Sequence, residues 1–309
     1  MGDNIMSYVG RFAPSPTGPL HFGSLVAALA SYLDARAHHG KWLVRIEDID
    51  ESRCNSAHTT DILRTLQAFG LQWDGEMQIQ TARKASYGAA LQALRSRGLV
   101  YACACSRSEI ADSAVNGLEG PVYPGTCRDK GLGALGGLGE YANALRLRTS
   151  NEKICFSDLA QGEICQQIEA DIGDFVLQRR DGLFAYQLAV VVDDADAGIT
   201  HVVRGADLLD STSRQIYLQR LLGYPTPTYL HIPVAVNALG QKLSKQTLAT
   251  AISGTTDAPQ VLLLSALRFL GQSTAGLETT PTIADALDLA TRNWDRSKIP
   301  RVRALRPVP

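Results

Sequence analysis

Two segments carry residue types and spacings suited to phosphate chemistry. The first is Arg11-Phe-Ala-Pro-Ser-Pro-Thr-Gly-Pro-Leu-His-Phe-Gly-Ser24. A short strand enters a Pro/Gly turn, and the turn ends at a helix start for which Ser24 is the expected cap. Backbone amides at such a start point outward and attract phosphate. Gly18 and Gly23 allow close backbone approach to a ligand, and His21 can donate a hydrogen bond to a phosphate oxygen. On composition alone, a rigid connection with a surface histidine serves equally well. The second segment is Lys242-Leu-Ser-Lys245-Gln246, just past the turn-like Asn237-Ala-Leu-Gly240. Two lysines flank a hydroxyl, so one loop offers two cations and a donor to a polyphosphate.

Cys103-Ala-Cys105 is followed by Tyr123-Pro-Gly-Thr-Cys127. Three thiolates in a loop-rich stretch suit a tetrahedral zinc ion, with three reduced buried cysteines as the alternative. Cys54, Cys155 and Cys165 fit no metal spacing and are expected as core or surface thiols. Six cysteines in 309 residues are too few for a disulfide scaffold. Gly131-Leu-Gly133-Ala-Leu-Gly136 matches a dinucleotide fingerprint by letter only. It opens no helix after a hydrophobic strand, so a flexible loop is expected there. No Walker phosphate loop is present.

These segments need elements to hold them. Tyr8–Phe12 reads as a strand, Ser24–Ala37 as a helix with Leu25, Ala28, Leu29, Tyr32 and Leu33 on one face, and Trp42–Ile46 as a buried strand. Helices follow near Thr59–Phe69 and Lys84–Arg97. This alternation predicts an α/β fold with a doubly wound parallel sheet. The middle differs in character: loops and cysteines occupy Cys103–Gly139, and strands are expected at Ala144–Arg148, Phe175–Arg179 and Phe184–Val192. Asp181-Gly182 is the turn signal between the last two. Parallel-sheet material resumes at Thr200–Arg204, with a helix near Ser211–Leu222. Beyond Gly240 the chain is mostly helical, notably Pro259–Leu270 and Ile283–Arg292.

A length of 309 residues allows about two domains, and 45% hydrophobic with 20% charged residues excludes wholesale disorder. No apolar run is long enough for a membrane span. Leu25–Leu33 is broken by Ser31 and has no basic leader, unlike a secretory signal. A cytoplasmic location and no membrane partner are expected. The net charge of −1 hides a split. Arg292–Pro309 holds six basic residues and one acid, while the rest holds 24 basic and 30 acidic residues. A basic end on an acidic body fits either a locally docking polyanion or a solvated tail.

His21-Phe-Gly-Ser24 and Lys242-Leu-Ser-Lys-Gln246 together resemble the two signatures of class I aminoacyl-tRNA synthetases. The wording of Arg11–Gly18, Arg45-Ile-Glu-Asp-Ile-Asp50 and Val203-Arg-Gly-Ala-Asp207 is similar to that of the glutamyl enzymes, in order and spacing over about residues 8 to 250. Only 63 residues follow Gln246, too few for the helical anticodon-binding domains of that family. In this the chain resembles the glutamyl-queuosine tRNA(Asp) synthetases. The resemblance implies a class I Rossmann-like parallel sheet with a zinc-bearing insertion and a short helical C-terminal region. The boundaries expected are 1–98 and 184–236 for the catalytic halves, 99–183 for the insertion and 237–309 for the remainder.

The implied activity is ATP-dependent activation of L-glutamate to glutamyl-adenylate without tRNA. The glutamyl group then passes to queuosine at the wobble position of tRNA(Asp). Alternatives are a shortened glutamyl-tRNA synthetase charging the acceptor end, a small nucleotidyltransferase sharing the His-x-Gly signature, and a non-catalytic zinc module binding RNA. The family's amino-acid pocket maps onto Arg11, Ser15, Glu47, Tyr186 and Arg204. The two arginines would meet the substrate carboxylates, in either assignment, and Glu47 its ammonium. Taken singly, Glu47 also suits a salt bridge with Arg45, and Tyr186 suits a core strand. His21, Gly23, Lys242 and Lys245 are the catalytic residues implied; His21, Gly23 and Lys245 hold ATP, with Mg²⁺ on its phosphates. The Cys-x-Cys…Tyr-x₃-Cys pattern makes Tyr123 the fourth ligand of a structural zinc beside Cys103, Cys105 and Cys127.

Overall fold

The computed structural model describes residues 7–113, 115–117, 120–130, 143–243, 251–252 and 259–307. Strand β1 (Val9–Phe12), helix α1 (Phe22–Ala37) and strand β2 (Lys41–Ile46) form a βαβ unit in which β1 and β2 pair in parallel, Arg11 opposite Leu43. Helix α2 (Ser56–Ala68) leads to β3 (Gln78–Ile79), which joins the far edge of β2. Helix α3 (Lys84–Ser96) precedes β4 (Val100–Cys103), which forms an antiparallel sheet with β5 (Ala144–Leu147).

The hairpin of β6 (Lys153–Asp158) and β7 (Gly162–Gln167) comes next, and β8 (Val176–Gln178) pairs back onto β5. Helix α4 (Tyr186–Asp196), strand β9 (His201–Gly205), helix α5 (Thr212–Leu222) and strand β10 (Thr228–Ile232) follow. β10 pairs in parallel with β9 and, through Tyr229 opposite Asp158, with β6. The β6–β7 hairpin, within the stretch expected as the insertion, thus shares a sheet with β9 and β10.

β1 and β9 lie side by side. The Thr200 N–H donates to Val9 O at 2.9 Å, and the Val9 N–H to Thr200 Oγ1 at 2.9 Å. The chain winds outward from this line in both directions, through β2 and β3 on one side and through β10 and β6 on the other. That is a topological switch point, and a crevice opens there beyond the carboxyl ends of β1 and β9.

Both sheet faces are covered, which is why the parallel strands alternate without a polar side. Val203 and Leu230 pack on one face with Leu25, Leu29 and Leu33 of α1. Their neighbours Val202 and Tyr229 pack on the other face with α3, α4 and α5. Helices α6 (Pro259–Phe269) and α7 (Ile283–Arg292) cover α1, through Leu263, Leu267 and Leu287. Burying each such leucine stabilises the fold by about 1.5–3 kcal/mol. Gly40 lies so close to Tyr8 that a Cβ there would collide with Tyr8 backbone and side chain.

Three expectations need correction. Phe184–Val192 is not a strand: Tyr186–Asp196 is helical. Leu188 through Val192 are all buried, so the segment shows a continuous apolar run with no period to separate helix from strand. The turn before it forms as expected, with the Arg179 N–H donating to Leu183 O at 2.8 Å and Gly182 at φ 83°. Helix α1 starts at Phe22, capped by His21, and Ser24 sits in its first turn. Cys155 and Cys165 are not free thiols but a disulfide, because they sit directly opposite in the β6–β7 hairpin. The glycine-rich stretch at 131–139 lies outside the described residues.

Candidate active site

The segment leaving β1 and the turn at the head of α1 wall one side of a 680 Å³ cleft, with Ser15, Thr17, His21, Gly23 and Ser24 on it. Gly205 and Asp207, leaving β9, and Lys242 line the cleft as well. His21 caps α1 with its ring: Nδ1 accepts the Ser24 N–H at 3.2 Å, while Ser24 Oγ accepts the His21 N–H at 3.4 Å. An accepting Nδ1 leaves the proton of the neutral ring on Nε2, the tautomer needed to donate to an anion. A Cβ at Gly23 would sit 3.2 Å from this ring, so a glycine there leaves the histidine room at the helix start.

The turn at Asn237 forms as expected. Asn237 Oδ1 accepts the Leu239 and Gln241 N–H groups at 2.9 Å, and Gly240 adopts φ 74°. It delivers Lys242 to the cleft, where its Nζ pairs with the Asp207 carboxylate. Lys245, Ser244 and Gln246 lie outside the described residues.

A second cavity of 310 Å³ adjoins the cleft, and Phe12, Ser15, Ala27 and Gly205 wall both. Arg11, Ser15, Glu47, Tyr186 and Arg204, which come from four separate stretches of chain, meet in its lining. Its electrostatics contain a partner absent from the sequence reading. Asp194, in α4, receives Arg11 through Nε at 3.1 Å and Nη2 at 3.2 Å, and Arg45 Nη1 at 2.7 Å. Burial alone would raise the Asp194 carboxyl; Arg11 and Arg45 outweigh it and hold it below the usual carboxylate range. Glu47 forms the salt bridge with Arg45 (3.1 Å) that its neighbourhood in sequence allows, while still facing the cavity. Burial pushes its carboxyl up, partly opposed by Arg45 and Arg11. Tyr186 stands at the first turn of α4 as a half-buried wall residue, and burial raises its phenol.

Arg204 is 6% exposed and tightly oriented. Its Nε donates to His231 Nε2 at 2.9 Å and its Nη2 to Thr212 Oγ1 at 2.9 Å, while Nη1 is buried with no protein partner. A buried donor without an acceptor is costly unless a ligand completes it. His231 in turn meets Asp158 Oδ2 at 2.6 Å through Nδ1. Neither residue belonged to any motif. The signal available was weak: a lone His in an apolar strand next to Pro233. For Asp194 it was stronger, an Asp193-Asp194 pair closing the apolar run Leu188–Val192.

Away from the crevice, the Sγ atoms of Cys103, Cys105 and Cys127 lie within 4.8 Å of one another. The Tyr123 hydroxyl stands 3.3 Å from Cys103 Sγ and 3.5 Å from Cys105 Sγ. Burial would raise the Cys127 thiol, but hydrogen bonds from Tyr123 and the Ala104 N–H overcome it and bring it to about 7. Such a thiol deprotonates readily, as a metal ligand must. The Arg146 guanidinium lies 3.9 Å from the centre of the Tyr123 ring.

Among the described residues no helix is long and apolar enough to cross a membrane. The profile for the catalytic domain of tRNA synthetases class I (E and Q) matches residues 8–299. A glutamyl-Q tRNA(Asp) synthetase of Dechloromonas aromatica is 55% identical over 296 residues, covering 95% of this chain and 96% of that one. One from Burkholderia cenocepacia is 55% identical over 300 residues, covering 95% and 98%. In fold, the chain is similar to the crystal structure of a glutamate-tRNA synthetase from Elizabethkingia anophelis, with a TM-score of 0.76 at 23% identity over 96% of this chain and 68% of that one. On the extent of the first match and the identity of these relatives, the chain belongs to the class I tRNA synthetases of the E and Q type.

Proposed function

We propose that the protein activates L-glutamate with ATP to form glutamyl-adenylate without tRNA, then passes the glutamyl group to queuosine at the wobble position of tRNA(Asp). One observation carries the reading: Arg11, Ser15, Glu47, Tyr186 and Arg204 share a cavity that opens into the cleft of His21, Gly23 and Lys242. The names of the relatives supply the amino acid and the RNA.

In this reading glutamate sits in the smaller cavity and ATP in the larger. The buried Nη1 of Arg204 would meet one carboxylate, Arg11 the other, and Glu47 the ammonium. An α-carboxylate oxygen attacks the α-phosphorus; the new O–P bond forms as the bond to the bridging oxygen breaks and pyrophosphate leaves. The protein aligns the partners and neutralises charge on the departing group. His21 Nε2 and Gly23 would hold the phosphates together with Lys242 and Lys245, and Mg²⁺ would accompany ATP. Release of Lys242 from Asp207 would accompany that contact.

Cys103, Cys105, Cys127 and Tyr123 would hold one structural zinc, since their four donor atoms converge and leave no open position. The insertion would span 99–183 between catalytic halves 1–98 and 184–236, with 237–309 completing the chain, in a cytoplasmic enzyme. The deciding experiment offers labelled glutamate and ATP to tRNA(Asp) with and without queuosine, and to tRNA(Glu). Label is expected in queuosine-containing tRNA(Asp) alone. Label entering tRNA(Glu) but not that RNA would select the acceptor-end enzyme instead.

A further inference from the structure

The basic C-terminal segment is not loose: it folds back onto the crevice. The Val234 N–H donates to Arg303 O at 3.0 Å and the Val236 N–H to Leu305 O at 3.0 Å, so Ala304–Leu305 pairs in parallel with Val234–Ala235. Val234 and Ala235 themselves line the larger cleft. Gln161 Nε2 holds Val302 O at 3.2 Å from the β6–β7 hairpin. The Arg303 guanidinium grips both oxygens of Asp210 at 2.9 and 3.1 Å, and Arg296 reaches Asp34 at 3.1 Å. Residues 302–305 are therefore anchored beside the cleft, whereas the Arg296–Asp34 pair holds the preceding turn at the far end of α1.

Its cations divide into two sets. Arg296 and Arg303 use their charge on Asp34 and Asp210. Arg292, Lys298, Arg301 and Arg306 are exposed, and among the described residues none of their side chains has an ion-pair or hydrogen-bond partner. Lys298 faces Asp295. Arg301 and Arg306 flank the strand that borders the cleft, on a body that is otherwise net acidic. None of these four side chains lines the cleft of His21 and Gly23.

We propose that the segment from Lys298 to Arg306 is a phosphate-contacting rim for the RNA substrate. Arg301 and Arg306 hold backbone phosphates on either side of the nucleotide whose base enters the cleft. This rests on the proposed function for the identity of the RNA. Arginine suits the role because its planar fork meets phosphate oxygens in pairs. The contacts carry no sequence information; they fix register, leaving the choice of base to the cleft.

The test uses the full-length protein and queuosine-containing tRNA(Asp) in filter binding between about 50 and 200 mM salt. The double variant Arg301→Ala/Arg306→Ala is expected to bind about tenfold more weakly at the lower salt. Its plot of log affinity against log salt should lose a slope of roughly 1.5, the counterions of two phosphates. Arg301→Lys/Arg306→Lys should keep most of the slope. Glutamate-dependent ATP–pyrophosphate exchange should be unchanged in both variants. Equal affinity and slope in the alanine variant and the wild type overturn the rim. Binding is read without any glutamyl transfer, so weaker binding by the variant supports the rim even if the wild type glutamylates no queuosine. Transfer with equal KM for RNA in both proteins removes the rim and leaves the function standing.

Discussion

His231 presents a lone pair to Arg204: its Nε2 accepts the Arg204 Nε–H at 2.9 Å, while Nδ1 meets Asp158 Oδ2 at 2.6 Å. The geometry requires the Nδ1–H tautomer, which the Asp158 carboxylate enforces. Asp158 is itself fixed by the N–H groups of Ala160, Gln161 and His231. A chain of hydrogen bonds from β6 through β10 thus aims the guanidinium of β9 into the smaller cavity. His231→Ala should raise the KM for glutamate in ATP–pyrophosphate exchange about tenfold or more, as expected for a lost hydrogen bond to a charged group. The KM for ATP should stay near that of the wild type. An equal rise for both substrates would show general disorder instead of a misaimed Arg204.

The same histidine makes stability depend on pH. Burial pushes His231 down to about 4, with Asp158 opposing and Arg204 assisting. An unfolded chain protonates its histidines near 6.5. The contribution is therefore whole above about 6.5 and drains away as pH falls toward 4, by up to about 3 kcal/mol. Glu47, raised by burial, works in the opposite sense, its contribution growing as pH falls through its raised value. Urea unfolding at pH 7 and pH 5 should show a smaller loss for His231→Gln than for the wild type. Identical losses would remove His231 as the source.

Asp194 pairs with two buried guanidiniums at once, those of Arg11 and Arg45. Asp194→Asn leaves Arg11 and Arg45 short of a counter-ion and should cost about 3–5 kcal/mol, the usual result of removing one partner of a buried ion pair. A shift of the urea midpoint at constant m-value is the readout. A loss under about 1 kcal/mol would mean that Glu47 and Asp193 already suffice for Arg45.

The cysteines separate into two chemical groups. Alkylation of denatured, metal-chelated but unreduced protein should label four residues, Cys54, Cys103, Cys105 and Cys127, and reduction should add Cys155 and Cys165. Elemental analysis should find one zinc per chain, lost in Cys105→Ser. Zinc-free protein after growth in added zinc would leave the cluster as reduced thiols.

Lys245→Ala should lower the rate of glutamate activation at least about tenfold, with a smaller effect on glutamate binding. Unchanged ATP–pyrophosphate exchange would refute a role in the transition state.

The candidate site residues lie in four separate stretches, and it was the resemblance in wording of those stretches that pointed to them together. The turn after β1 and the lysine loop each carry residue types suited to phosphate in local wording, although on composition alone the turn equally suited a rigid connection. Strand–helix alternation is likewise a local pattern, and it correctly placed β1, β2, β9 and most helices. Local pattern failed where it was degenerate. Leu188–Val192 is buried all round, so no periodicity marked it as helix, and with it Asp194 went unnoticed.

The amino-acid sequence alone determined which groups are available: two arginines and a glutamate, a histidine and lysines, and three closely spaced cysteines. Tertiary structure decided who faces whom. Arg11 finds Asp194 across 183 residues, Arg204 finds His231 across 27, and His231 finds Asp158 across 73. Sheet register sets the last two pairings and the packing of α4 against β1 sets the first; both depend on distant segments packing together, which no single stretch of chain encodes. The chain's end meets Val234–Ala235 for the same reason, whereas Cys155 meets Cys165 through the local register of one hairpin.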